Sequence, residues 1–177
     1  MKRVGWGSLG LVALALSGAA QAGETVTGKA TVLEGDTLLV GGRVIGLYGL
    51  AAPGLQEICL NGKSLPYRCG LQSAQALEHH VRGATLHCQI VQGIDAAGRA
   101  LSICHKDEED LNAWMVSHGH AMAERTGDRP YATAELPAWA RREGLWSGSF
   151  ADPAERQRDS YTSLGAVAGI VTEGMRP

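Results

Sequence analysis

The side chains with the most chemical capacity in this 177-residue chain are four cysteines, Cys59, Cys69, Cys88 and Cys104, and six histidines. The cysteines lack any Cys-x-x-Cys spacing, so a thiolate metal site has no framework, whereas an even number suits disulfides. Three pairings are open in principle. His118 and His120 stand on either side of Gly119 with no third ligand placed by spacing, and His79 and His80 fall on adjacent helix faces and cannot chelate together. No Ser-His-Asp order, phosphate-binding loop or glycine-rich dinucleotide signature occurs. Two charged residues remain, each in a turn-forming context. Asp36 lies in Glu34-Gly35-Asp36-Thr37, and Arg99 closes Asp95-Ala96-Ala97-Gly98-Arg99, where it could pair with a nearby carboxylate such as Asp36.

These residues need strands and turns to position them. Residues 25–50 are rich in Val, Leu, Ile and Thr and are broken at Gly35 and Gly41-Gly42, which predicts three strands joined by tight turns. Ala74, Leu77 and Val81 recur at helical spacing, with Gly83 as a C-terminal stop. Residues 84–92 and 99–105 form a hairpin turning at Asp95-Ala96-Ala97-Gly98, which brings Cys88 and Cys104 opposite one another and leaves Cys59 to close a short loop with Cys69. His87 and His105, beside those cysteines, become cross-strand neighbours. Leu111, Trp114, Met115 and His118 mark a second helix ended by Gly119. A third is expected over 131–142, with Pro137 kinking or restarting it. Trp114, Trp139 and Trp146 are expected in helix packing.

The segments Gly35-Asp36-Thr37, Leu47-Tyr48-Gly49-Leu50-Ala51-Ala52-Pro53, Asp95-x-x-Gly98-Arg99 and Gly144-Leu145-Trp146 resemble the staphylococcal nuclease (thermonuclease) family over about residues 25–150. The four-cysteine form is similar to exported relatives in Gram-negative bacteria, some named nucleases and some accessory proteins of exopolysaccharide (succinoglycan) biosynthesis. The resemblance implies an α+β fold: a five-stranded OB-type β-barrel with about three packed α-helices. It also implies which positions would do chemistry. Asp36 matches a calcium ligand and Arg99 matches an arginine acting on the phosphate in flight. The family's other arginine, second metal aspartate and general-base glutamate are here Gly46, Ala51 and Gly54. Hard cations need about six to eight oxygen ligands, so the loss at Ala51 weakens any site. A missing general base removes about 10²–10⁴-fold in rate. No cofactor is therefore expected, Ca²⁺ being the ion a residual site would take. Phosphodiesterase activity is expected to be degenerate or lost, with a binding or accessory role in its place. One alternative is an active secreted nuclease with a relocated site using Asp36, Arg99 and Glu57, although Glu57 reads as an exposed carboxylate. Another is an accessory protein of exopolysaccharide biosynthesis.

Lys2-Arg3, an apolar run and Ala20-Gln21-Ala22 read as an export signal over residues 1–22, leaving a domain at 23–150 and a tail expected to be mobile at 151–177. The destination is the periplasm or the exterior, where disulfides persist. The apolar run at 164–171 is too short to span a bilayer. Lys2 and Arg3 are two of sixteen basic residues and all eighteen acids lie beyond them, so residues 23–177 carry a formal charge of −4. An acidic chain is poorly suited to strong polyphosphate binding. Arg141, Arg142, Arg156 and Arg158 read as a solvated helix end and tail. Nucleic acid, an anionic polymer or polysaccharide, and a protein remain as partner classes.

Overall fold

The computed structural model describes residues 23–159. The expected leader, 1–22, and the last part of the expected tail lie outside the described residues. Ten strands, four helices and a 3₁₀ turn occur among those described, in an α+β arrangement. Strand β1 (Thr25–Glu34) alternates exposed and half-buried positions along its whole length, as a strand with one covered face must. It pairs antiparallel with β2 (Thr37–Val40) and with β7 (Thr85–Ile94). β3 (Arg43–Leu47) continues from β2, and β8 (Ala100–Lys106) continues from β7. Parallel pairing of Ile45, Gly46 and Leu47 with Ala100, Leu101 and Ser102 then joins β3 to β8, so the sheet closes partly into a ring.

The ring and its helices share one core. Leu38, Val40, Ile45, Leu77, Leu86 and Leu111 are wholly buried or nearly so, and Met115 and Val116 of α2 (Leu111–Ser117) join them. Helix α1 (Cys69–Val81) presses Ser73 against the β1–β2 turn. A Cβ on Gly35 would fall 2.1 Å from Ser73 Oγ and 2.8 Å from Ala52 Cβ, so only glycine permits this approach. The buried Asn112 ties three segments together. Its Oδ1 accepts from Cys104 N, and its Nδ2 donates to the carbonyls of Tyr48 and Ser102. Sequence pattern gave no notice of this staple, because an asparagine inside a helix carries no periodic signal.

The expected hairpin register holds, with Cys88 opposite Cys104 and His87 opposite His105. Both disulfides pair as anticipated, Cys59–Cys69 and Cys88–Cys104. The third helix differs. Residues 131–135 are turns and α3 runs only over Leu136–Arg141, because Pro137 lacks an amide hydrogen and is accommodated in a helix's first turn. Trp139 on α3 is 63% exposed, not packed inside. The two-residue strands β4 (Leu50–Ala51), β5 (Cys59–Leu60), β6 (Pro66–Tyr67), β9 (Glu109–Asp110) and β10 (Met122–Ala123) were too short to show a period. The 3₁₀ turn Gly144–Ser147 follows α3. A fourth helix, α4 (residues 153–159), lies within the expected tail; Asp152 Oδ1 accepts from Ala154 N at its start, and Pro153 and Ala154 are buried. No helix among the described residues is long and apolar enough to cross a membrane.

Candidate functional site

Asp36 sits in the β1–β2 turn with its side chain only 3% exposed. Its Oδ1 accepts from Thr37 Oγ1 at 2.9 Å and Arg99 Nη1 at 3.2 Å. Its Oδ2 accepts from Ala52 N at 2.9 Å and Gln157 Nε2 at 2.7 Å. A carboxylate offers about four lone-pair positions, and all are matched by donors. Arg99 is aimed by the hairpin turn. Asp95 Oδ1 accepts from the amides of Ala97 and Arg99, while Asp95 Oδ2 receives Arg99 Nε at 2.8 Å. Arg99 therefore bridges Asp95 and Asp36, as its spacing suggested. Glu34, at the end of β1, has its carboxyl raised above the ordinary range by burial and then by the charge of Asp36, with Arg99 opposing.

The positions at which the nuclease pattern has an arginine, an aspartate and a glutamate differ in their surroundings. A Cβ on Gly46 would lie 2.9 Å from Leu101 Cδ2 and 3.3 Å from both Cβ and Nε of Arg99. The Arg99 stem thus crosses the place where a side chain at 46 would begin. Ala51 is buried in β4 opposite Met122 and offers no side-chain oxygen. Ala52 donates its N–H to Asp36. Gly54 faces open space. Its amide donates to Glu57 Oε2 at 3.1 Å.

Glu57 is not an exposed carboxylate. Its side chain is 6% exposed and forms an ion pair with Arg156 of α4, so Arg156 is not a solvated tail residue either. Consecutive α4 residues thereby engage two buried carboxylates: Arg156 holds Glu57 and Gln157 holds Asp36. The signal that could have found them was weak. The segment Asp152-Pro153-Ala154 has the form of a helix start, but the described residues beyond it, 155–159, lack an apolar stripe.

Beside Arg99 opens a cavity of about 220 Å³, walled by the β3–β4 segment, by residues 124–126 and by α4. Tyr48 is among its lining residues, and its hydroxyl donates to Asp128 at 2.8 Å. Glu124 lines it too, its carboxyl raised by burial against the lowering effect of Arg158.

The other flagged residues lie away from this centre. His80 stacks on Trp114 with ring centroids 3.7 Å apart and meets Glu109 at 2.7 Å, while His118 and His120 stack on or tilt against the same indole. Burial, then His118, pushes the His120 imidazole down to about 4, with Glu143 opposing and His80 adding to the fall. The cluster of Glu57 with Cys59 and Cys69 offers no thiolate, since the two sulfurs are bonded to each other. Arg141 pairs with Glu143.

No protein-family model matches the chain. It is 32% identical over 139 residues to the succinoglycan biosynthesis protein ExoI of Rhizobium meliloti (strain 1021), an alignment covering 77% of this chain and 72% of that protein.

Proposed function

We propose that this chain, which belongs to the family of the succinoglycan biosynthesis protein ExoI, is an exported accessory protein of exopolysaccharide assembly. On this reading its scaffold is a thermonuclease-like OB barrel whose hydrolytic centre is retired. The observation that carries the second half is the saturation of Asp36 by four donors. A calcium ligand must turn free lone pairs toward the ion, and this aspartate has none to turn. The surroundings fit the ion poorly: Ala51 contributes no side-chain oxygen, the Ala52 amide already occupies Asp36 Oδ2, and Gly54 supplies no base. Arg99 is spent on two carboxylates, which makes it a structural cation. The two disulfides support an oxidising destination, periplasmic or secreted.

Disruption of the gene in its host, with exopolysaccharide yield and chain length measured, tests the accessory role; unchanged polymer would overturn it. Calcium titration by calorimetry with single-stranded DNA cleavage tests the retired centre. Neither binding nor cleavage is expected. Calcium-dependent cleavage abolished by Asp36→Asn or Arg99→Ala would instead establish a working nuclease.

A further inference from the structure

The 220 Å³ cavity beside Arg99 has the lining of a site for one uncharged sugar ring, and we propose that it holds a neutral hexose unit of a polysaccharide. This rests on the exopolysaccharide reading above and names the ligand class for the same end of the barrel.

Charge balance excludes a polyanion as the natural occupant. The lining carries Arg99 and Arg158 against Asp95 and Glu124, two of each sign, with Asp36 directly behind Arg99. Phosphate polymers bind through an excess of cations, and here there is no excess. Size points the same way. The cavity falls below the roughly 300–1,000 Å³ typical of pockets for drug-sized ligands, which leaves room for a single ring.

The wall chemistry matches hydroxyl groups. Each sugar hydroxyl is both donor and acceptor, and planar amides and hydroxyls answer both roles at once. Gln92 and Thr126 line the cavity, and neither side chain makes a hydrogen bond among the described residues. Gln157 donates through Nε2 to Asp36, which fixes its carboxamide and leaves Oε1 as an acceptor. Glu124 adds a second acceptor opposite Arg158. Tyr48, a lining residue whose hydroxyl is held by Asp128, is the aromatic at this cavity, the residue type on which the C–H face of a pyranose stacks.

The test is binding of short neutral gluco- and galacto-oligosaccharides to the oxidised full chain, by calorimetry and by heteronuclear chemical-shift mapping, beside an oligothymidylate and an oligogalacturonate. Neutral oligosaccharides are expected to bind and to shift resonances of Tyr48, Gln92 and Thr126. Gln92→Ala and Thr126→Ala, both at exposed positions, are each expected to weaken binding by about fivefold to tenfold, and Tyr48→Ala by about tenfold or more. The proposal is overturned if neutral sugars do not bind, if binding is indifferent to Gln92→Ala and Thr126→Ala, or if either charged probe binds more tightly. Failure here with an altered polymer on gene disruption would remove the sugar pocket and leave the accessory role. Sugar binding with unchanged polymer would do the reverse.

Discussion

Placing at position 46 the arginine that the nuclease pattern has there is expected to damage this protein and to confer no activity. Replacing a strand glycine ordinarily stabilises, by about 0.5–1 kcal/mol. Here the new Cβ would lie 2.9 Å from Leu101 Cδ2 and 3.3 Å from Arg99 Cβ and Nε. The leucine methyl can rotate away, but Arg99 Cβ is attached to the backbone entering β8 and cannot. Overpacking of this kind costs about 1–3 kcal/mol. Arg99 must also yield one of its charged hydrogen bonds, to Asp36 at 3.2 Å or Asp95 at 2.8 Å, for about 1.5–3 kcal/mol more. After the strand gain, Gly46→Arg should destabilise by about 2–5 kcal/mol. For a chain of this size that lowers Tm by roughly 4–20 °C. The assay is thermal unfolding of the oxidised protein by circular dichroism, with Gly54→Glu as the control because nothing lies within 4 Å of a Cβ there. The control should stay within about 0.5 kcal/mol of the parent. A Gly46→Arg protein as stable as the parent would refute the placement of Arg99 across position 46. Gain of calcium-dependent DNA cleavage would refute the account of the retired centre.

Gln157→Leu keeps the bulk of the side chain and removes a donor from a buried carboxylate, so a loss of about 1.5–3 kcal/mol is expected by urea unfolding, with Gln75→Leu at an exposed position of α1 as the comparison. Cys88→Ala with Cys104→Ala should lose about 2–4 kcal/mol, read as the shift in denaturation midpoint against the oxidised parent; an unchanged midpoint would contradict the bridge's role. The His120 imidazole has a folded pKa of about 4, below its ordinary 6.5, so the unfolded chain binds more protons between those values. Its contribution is complete above pH 6.5, falls as pH drops through the window and levels below about 4. Acidification from pH 7 to pH 5 should therefore remove about 2 kcal/mol that His120→Asn does not lose, and equal pH slopes in the two proteins would contradict this.

Long-range periodicity made much of the fold legible. The apolar runs of β1 to β3, the Ala74–Leu77–Val81 stripe and the hairpin centred on Asp95–Gly98 were visible because each repeats over several residues. The cysteine pairing followed from that hairpin. Two-residue strands and the Asn112 staple were invisible, since neither has a period. The Arg99–Asp36 pair could be anticipated from turn chemistry, but the remaining partners could not. Glu57 read as exposed because its counterion, Arg156, lies in a segment whose composition suggests a tail. Gly46 and Gly54 read alike as missing side chains. Only the structure separates them, one pressed against Arg99 and the other facing open space.

The contact between Gln157 and Asp36 spans 121 residues of sequence, which gives the site a history in time. A chain that emerges N-terminus first presents Asp36 early, when Thr37 and Ala52 can already donate to it, then Arg99. The last donor arrives after the ring and both disulfides have been made available. Until then Asp36 Oδ2 lacks the Gln157 amide, and the cavity lacks the wall that α4 supplies. On that order, closure of the ring and completion of the cavity wall by α4 are separable steps.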